Sequence, residues 1–541
     1  MSLSLNEEQL AGVNAIDGDY VMIAGPGSGK TRVLVERYLR MVTQRQISQR
    51  DILNLTFTNA AASEMVERVG LMDADKVFRT FHSLALDICK KERNYLPFKT
   101  CPTIIPVRGE QFALMKDLLK FYPAISGYRP LSEAITRWKA ENMDPSEAVA
   151  ETANMGPEYF MAAAYRDYER ICREQGWLDF DSLMKETVLL LENNDEVRVR
   201  HQRKYIAVDE CQDTDITQFR LLQLLYGGNI FAVGDESQLI YAWRSAQAGN
   251  LTNFSKTFQG AKTLFLGTNY RSTKKLVEFF KQILPVDNGL ASHMKSARPE
   301  GEGPRFIRYT SDDEEANEVL TEIVDRDIQE SSAIIARTNR QLQLIQRRAM
   351  SRNIKAEILG KNANVWESNE VKHLIELTKE RRNDLRPAHV VMSELMRQHN
   401  LTYRYANTGN PQDKDPVENM NDIIRMAGRK NKETQQPLSV PDFLEWLRKI
   451  TFMRRTNKNP ILTLTTVHQA KGREWPHVFV VGCEQGKMPH INGDLPEEAR
   501  IFFVACSRAA DELQISYYQN RSQFLNQFEE EVEIFGEEDD E

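Results

Sequence analysis

Short apolar runs recur along the 541 residues, each followed by turn residues and then by a stretch of helical spacing. The runs are Tyr20–Ala24, Ile52–Phe57, Tyr205–Val208, Ile230–Val233, Leu264–Leu266, Ala333–Ala336, Ile461–Thr465 and Val478–Val481. They are short, rich in β-branched residues and lack polar alternation, which predicts strands buried on both faces. Strands that alternate with helices predict parallel sheets of the doubly wound α/β kind. Two stretches break the rhythm. Residues 91–176 read mostly as helix, for example over Gly109–Phe121 and Pro157–Gln175, and residues 361–457 are polar and helix-like around a loop at Ala406–Pro416 rich in Asn, Asp, Pro and Gly. The pattern therefore predicts two α/β cores with one helical insertion each, and no internal repeat of 20 to 50 residues is visible.

Composition narrows this picture. A chain of this length is expected to hold two to four domains, and 41% hydrophobic residues suffice for sizeable cores. No run of 18 apolar residues predicts a membrane span, and Met1–Gln9 lacks the basic and apolar segments of a secretory signal. The six cysteines (Cys89, Cys101, Cys172, Cys211, Cys483 and Cys506) are scattered with no CxxC pair. That speaks against a zinc site or a disulfide framework and for a reducing, cytoplasmic setting. The net charge of -8 is local: residues 529–541 hold nine acids and no base, and without them the rest carries +1. This tail reads as solvated and disordered. Residues 421–459 hold nine Lys or Arg against four Asp or Glu, which suits either a solvated helical surface or a surface for a nucleic-acid backbone.

Two motifs carry chemistry. Residues 24–31 read AGPGSGKT between a predicted strand and a predicted helix, Thr31 to Arg40. Strand, glycine loop and helix in this order form a phosphate-binding loop. Gly25, Gly27 and Gly29, with Ser28 between them, let the backbone turn tightly and aim N–H groups at phosphate oxygens, and the helix N-terminus favours an anion. Lys30 would neutralise the β- and γ-phosphates of ATP, and the Thr31 hydroxyl would ligand Mg²⁺. Ala24 stands where the strict pattern has its first glycine. The second motif is YIAVDECQDT at 205–214, with Asp209 and Glu210 at the end of an apolar strand. Asp209 would hold Mg²⁺, directly or through water, and Glu210 would orient and deprotonate the attacking water.

From Leu5 to about Leu513 the chain resembles the UvrD/Rep/PcrA group of superfamily 1 helicases, with the motifs in family order. The resemblance implies two RecA-like cores: residues 1–90 with 177–268, and residues 269–360 with 458–528. The insertions are 91–176 and a reduced 361–457, and the tail is 529–541. It also implies roles for particular residues. In LNEEQ, Gln9 would read adenine, and Asn6 would at the same time cap a helix. In LTFTNAAASEM, Phe57 would stack on a base and Thr58 touch the backbone; in TFHSLA, Thr80 and His82 would lie near the strand. LDFDSL at 178–183 resembles a further family motif. In VGDESQLIYAWRSA, Gln238 would sense the γ-phosphate, Tyr241 and Trp243 contact bases, and Arg244 couple the two. Planar aromatics suit a motor indifferent to sequence. In LGTNYRS, Tyr270 would stack on adenine and Arg271 reach the γ-phosphate. In LTTVHQAKGREWPHVFVVG, His468 and Lys471 would lie near nucleic acid and Glu474 near the ribose. In EEARIFFVACSRAA, Arg508 would be an arginine finger.

The resemblance thus implies an ATP- and Mg²⁺-dependent single-stranded DNA translocase and helicase moving 3′ to 5′. Such a motor serves replication, repair or recombination, in a bacterial or phage setting. Single strands and single–double-strand junctions would be its partners. A nuclease or replication or repair protein is a further candidate, and the chain would be monomeric or weakly self-associating. An RNA helicase, or an ATP-gated DNA-binding subunit of a nuclease-partnered complex, are the alternatives. Departures from the family pattern are GREW at 472–475 for the commoner GLEF, Cys506–Ser507 before Arg508, and the short second insertion.

Overall fold

A computed structural model describes residues 4–96, 103–105, 110–141, 143–240, 249–286, 288–352, 354–360, 369–402, 416–428, 437–456 and 462–535. The chain divides into two compact units, residues 1–270 with 286–294 and residues 271–285 with 295–541.

The first unit is built on a six-stranded parallel sheet. Its strands are β1 Tyr20–Ala24, β2 Ile52–Thr56, β3 Phe78–Thr80, β6 Arg203–Val208, β7 Tyr226–Gly234 and β8 Lys262–Leu266, in the order β3-β2-β6-β7-β1-β8. Side chains along these strands alternate between two apolar cores. Val21, Leu53, Leu55, Ile206, Val208, Ile230 and Ala232 enter one. Met22, Ala24, Ile52, Tyr205, Ala207, Phe231 and Val233 enter the other. Helices cover both faces, so both sets of positions are mostly apolar and the runs read as near-continuous, although β2 also buries Asn54 and Thr56. The first insertion opens and closes on a short parallel pair, β4 Thr103–Ile104 with β5 Trp177–Leu178. Between them lie helices Glu110–Phe121, Tyr128–Ala140, Pro145–Glu151 and Pro157–Gln175, packed on their own core of Met115, Leu118, Leu131, Ile135, Trp138, Tyr165 and Tyr168.

Two further short strands, β9 Thr268–Asn269 and β10 Lys295–Ser296, precede the second sheet. That sheet has seven strands: β11 Arg305–Arg308, β12 Ser332–Ala336, β13 Ala356–Ile358, β14 Leu462–Thr466, β15 Trp475–Val480, β16 Ala509–Tyr517 and β17 Val532–Ile534. They run parallel in the order β13-β14-β12-β15-β16-β11-β17. The second insertion places helices Asn369–Glu380, Ala388–Gln398, Pro416–Ala427 and Val440–Thr456 around Val371, Leu374, Val391, Met392, Leu395, Ile423 and Phe443. Residues 406–415 of the Asn- and Pro-rich loop, and residues 429–436 and 457–459 of the basic stretch, lie outside the described residues.

Every apolar run named from sequence falls on a strand of a parallel sheet, apart from Phe57 and Val481, which follow β2 and β15, and Ile461, which lies outside the described residues, so the α/β class and its two RecA-like cores stand. The pattern missed β16 because its first half, AADE, is small and charged. Its Gln514 and Ser516 are buried nonetheless, the Ser516 hydroxyl donating to the Glu315 carboxylate at 2.6 Å and the Gln514 amide to the Tyr309 hydroxyl at 3.4 Å. The expectation that the whole tail from 529 is disordered is corrected. Val532–Ile534 form the edge strand β17, Phe535 N–H donates to the Arg308 carbonyl, and the Phe535 ring lies 5.3 Å from Tyr309. Val532 is half-buried while Ile534 and Phe535 stay exposed, so the strand is held by backbone pairing to β11, which does not require uncharged side chains. Residues 536–541 lie outside the described residues. Among the described residues no helix is long and apolar enough to cross a membrane.

Candidate nucleotide and nucleic-acid site

In a parallel sheet the loops after the strands gather at one edge, where ligands of open α/β folds bind. The first unit follows this rule closely. After β1 the chain turns through residues 25–29 into helix Lys30–Leu39. Gly25 N–H donates to the Leu266 carbonyl at 3.0 Å, extending the β1–β8 ladder into the loop, and the Ser28 hydroxyl closes the turn on the Gly25 carbonyl at 2.6 Å. Gly29 caps the helix in the left-handed region, φ +90°, and a β-carbon there would lie 3.1 Å from the Gln9 amide nitrogen. Only glycine takes this conformation without strain, which leaves the first N–H groups of the helix open to an anion. Lys30 Nζ reaches back to the Ala24 carbonyl at 3.5 Å.

Gln9 sits behind this loop, 1% exposed. It forms the second half of a capping box: Asn6 Oδ1 accepts from Gln9 N–H at 2.7 Å, and Gln9 Oε1 accepts from Asn6 N–H at 3.2 Å. Its Nε2 donates to the Ser28 carbonyl at 3.1 Å, so the helix cap and the loop share one amide. The neighbouring Glu8 carboxylate accepts from Gly267 N–H, Thr268 N–H and the Thr268 hydroxyl. Two residues on, Tyr270 N–H donates to the Gly27 carbonyl at 2.9 Å, and its ring is 39% exposed. The adenine-reading candidates Gln9 and Tyr270 therefore both touch the loop.

After β6 come Asp209 and Glu210. Asp209 N–H donates to the Leu55 carbonyl at 2.8 Å, and its own carboxylate accepts from Glu210 N–H at 3.0 Å. Glu210 is held at φ +50°, a conformation that costs a residue with a β-carbon on the order of 1 kcal/mol and marks a constrained site. Burial, and then the charge of Glu210, push Asp209 up to about 7, with Lys30 opposing. Two adjacent carboxylates, one of them buried and short of positive charge, fit a hard divalent cation beside phosphate.

The structure adds two residues that motif reading passed over. Gln212 Nε2 donates to Glu210 Oε2 at 2.5 Å, and its Oε1 accepts from Asp235 N–H at 3.0 Å. Asp235, fully buried after β7, accepts in turn from Gln238 Nε2 at 2.7 Å and from Ser237 N–H at 2.9 Å. Burial raises the Asp235 carboxyl, opposed by Lys30. A single chain of hydrogen bonds thus runs from Glu210 to Gln238. It needs a glycine at 234, where a β-carbon would sit 2.2 Å from Gln212 Oε1. The spelling DECQDT and GDESQ contained both residues, but only contact across 23 positions reveals their pairing.

In the second unit Arg271 Nε donates to Glu474 Oε2 at 2.6 Å, and its NH1 to the Ser507 carbonyl at 3.0 Å. Arg508 is 1% exposed; it donates to the carbonyls of Val504 and Arg473 and to the Ser507 hydroxyl. Arg271, Glu474 and Arg508 thus form one cluster at the starts of β15 and β16. Ser507 supplies a hydroxyl to the arginine, which accounts for the tolerance of Cys506–Ser507. The GREW departure contributes a backbone carbonyl, while the Arg473 side chain is exposed.

The family comparison rests on both units. The UvrD/REP helicase N-terminal domain matches residues 5–259, and the UvrD-like helicase C-terminal domain matches residues 264–390 and 372–520. The chain belongs to the UvrD/REP helicase family. Relatives in that family include the protein named ATP-dependent DNA helicase PcrA of Staphylococcus aureus (strain NCTC 8325 / PS 47), 27% identical, and that of Staphylococcus epidermidis (strain ATCC 12228 / FDA PCI 1200), 28% identical. Each comparison covers 96% of this chain and 84% of the relative.

In this UvrD-like chain the strand-contacting candidates of the first unit follow β2 and β3, on the same sheet edge as the phosphate loop. Thr58 caps helix Asn59–Val69, its hydroxyl accepting from Ala61 N–H at 3.1 Å beside the half-buried Phe57. Thr80 caps helix Phe81–Lys91, accepting from Ser83 N–H at 3.2 Å. Both hydroxyls therefore already serve helix ends. The His82 ring meets the Phe180 ring edge-on at 5.3 Å, and Phe180 is 46% exposed. Phe180 lies in LDFDSL at 178–183, a stretch whose resemblance to a family motif carried no role for a single side chain. In the second unit His468 and Lys471 lie on the crossover between β14 and β15. Since these strands run parallel, both pairing with β12, residues 467–474 descend from the C-terminal to the N-terminal edge of the sheet. One eight-residue segment therefore links His468 to Glu474. Tyr241, Trp243 and Arg244 lie outside the described residues.

Proposed function

We propose that this chain is an ATP-dependent DNA helicase that translocates along single-stranded DNA from 3′ to 5′, in replication, repair or recombination. The observation that carries the reading is the convergence on one sheet edge of the phosphate loop, the Asp209–Glu210 pair, the Gln238 turn and the Phe57, Thr58, Thr80 and His82 segments. ATP and a single strand addressed to the same edge can report to each other through the loops between them. We assign Gly25, Gly27, Ser28, Gly29 and Lys30 to the phosphates, and Gln9, Tyr270 and Glu474 to the nucleoside. Thr31 and Asp209 would hold Mg²⁺, which when bound supplies positive charge to the phosphate oxygens. Glu210, held by Gln212, accepts the proton of the attacking water, and Gln238 reads the γ-phosphate through the bond it shares with Asp235. Arg271 and Arg508 are assigned to charge on the transferring phosphoryl group. Phe57, Tyr241 and Trp243 stack on bases; Thr58, Thr80, His82, Arg244, His468 and Lys471 are assigned to the strand, with Phe180 beside His82. Such contacts carry little sequence information.

The test is ATP hydrolysis with and without poly(dT), beside Lys30→Ala and with poly(U) as a third arm. Strong stimulation by poly(dT) that vanishes in Lys30→Ala is expected. Absence of stimulation would overturn the motor, and equal stimulation by poly(U) its preference for DNA. Arrival of the protein at the 5′ end of a labelled strand reads the direction.

A further inference from the structure

A buried charge cluster ties the first insertion to the sheet edge where the strand is expected. Lys139, on helix Tyr128–Ala140, is 2% exposed. Its ammonium lies 2.7 Å from Glu169 Oε1, 2.5 Å from Asp179 Oδ2 and 2.6 Å from the Ser182 hydroxyl. Three acceptors satisfy the three donors of the group. Glu169 comes from helix Pro157–Gln175, and so does Tyr168, whose hydroxyl donates to Asp179 Oδ2 at 2.8 Å while accepting from Gln111 Nε2 at 3.0 Å. Two insertion helices thus meet on one carboxylate, and a third, Glu110–Phe121, joins through Tyr168.

That carboxylate does not belong to the insertion. Asp179 is the N-cap of helix Phe180–Asn193, its other oxygen accepting from Ser182 N–H at 2.7 Å. The first residue of the capped helix is Phe180, whose half-exposed ring meets His82 edge-on. The same helix is bound to helix Phe81–Lys91 by Thr187, which contacts the Cys89 sulfur at 3.2 Å and the Ala85 carbonyl at 3.5 Å. A cap alone needs no partner beyond its own N–H groups. A cap whose second oxygen is saturated by a buried lysine and a tyrosine from elsewhere has its position dictated by them.

We infer that Lys139 is a positioning residue: through Asp179 it sets the start of helix Phe180–Asn193, and with it the His82–Phe180 pair, for contact with the single strand. The inference rests on the strand-binding reading above and adds the insertion to the apparatus that grips the strand. Burial disfavours charge on both partners, yet their attraction holds Lys139 raised and Asp179 lowered, so the pair stays ionised at neutral pH.

The experiment compares wild type with Lys139→Met, Phe180→Ala, His82→Ala and the Lys139→Met/Phe180→Ala double variant. Readouts are DNA-free ATP hydrolysis, kcat at saturating poly(dT), the poly(dT) concentration for half activation, and Tm. Lys139→Met is expected to raise the half-activating concentration about tenfold, the loss of one stacking contact, with DNA-free hydrolysis unchanged. The double variant should be no worse than Phe180→Ala alone. A lowered Tm with half activation within about twofold of wild type would make Lys139 purely structural and overturn the inference. Should Lys139→Met fail to fold, Asp179→Asn keeps a good cap but loses the charge facing Lys139, and unaltered half activation there overturns it equally. Failure of poly(dT) to stimulate wild type would defeat the motor reading itself. Stimulated wild type with unaffected His82→Ala and Phe180→Ala would defeat only the positioning of this pair.

Discussion

At the scale of single residues, Asp209 shows what burying a carboxylate at the proposed Mg²⁺ site costs the fold. Its carboxyl is pushed up to about 7 from an ordinary 3.8. The folded chain therefore keeps a proton there that the unfolded chain loses near pH 4. The group's contribution to stability falls as pH rises from about 4 to about 7 and stays low above that. Asp209→Asn removes this cost. Its Tm should exceed that of wild type by several degrees at pH 8, the gain shrinking toward pH 5, while ATP hydrolysis falls at least about a hundredfold. Thermal melts across that range check the sign; a gain that does not grow with pH would show that burial of the Asp209 charge is not what destabilises the site.

Elements are held by features that local pattern underweights. β17 is a three-residue edge strand inside an acidic segment, yet Phe306 stacks on Phe528 at 5.0 Å just before it and Tyr309 meets Phe535 just after. Ending the chain after Glu531 should lower Tm by about 3 °C or more, because ladder bonds and the cover of Phe535 are lost together. Ending it after Phe535 keeps every described ladder bond of β17 and should leave Tm unchanged. Equal melts for the two truncations would mean that β17 contributes nothing to the second sheet.

For the whole molecule, the expected grip combines phosphate contacts with stacking. The poly(dT) concentration for half activation should then rise steeply with salt, as a power set by roughly 0.7 per phosphate neutralised, while strands of mixed sequence differ from one another only a few-fold. ATPase titrations between low and moderate salt measure this. A flat salt response would point to stacking alone, and a strong sequence preference would contradict a motor that reads no bases.

The sequence by itself determined the parallel α/β cores, because strands covered by helices on both faces are apolar at most positions, as β1 and residues 230–233 of β7 are. It determined the glycine loop and the adjacent carboxylates to which nucleotide roles are proposed above, because AGPGSGKT and VDE depend on neighbours in the chain: glycine where φ is positive, acids where a buried strand ends. Tertiary structure alone decided what depends on partners far away. The Glu210–Gln212–Asp235–Gln238 chain joins loops after β6 and β7, and Lys139 meets Asp179 across 40 positions. β16 accepts polar residues because Glu315 and Tyr309 wait to bond them, and β17 forms because an open sheet edge offers pairing to a segment whose composition reads as tail. Hydrogen bonds and ion pairs that close over long separations leave no periodicity in the chain. Their residues look like ordinary polar positions until the fold brings them together.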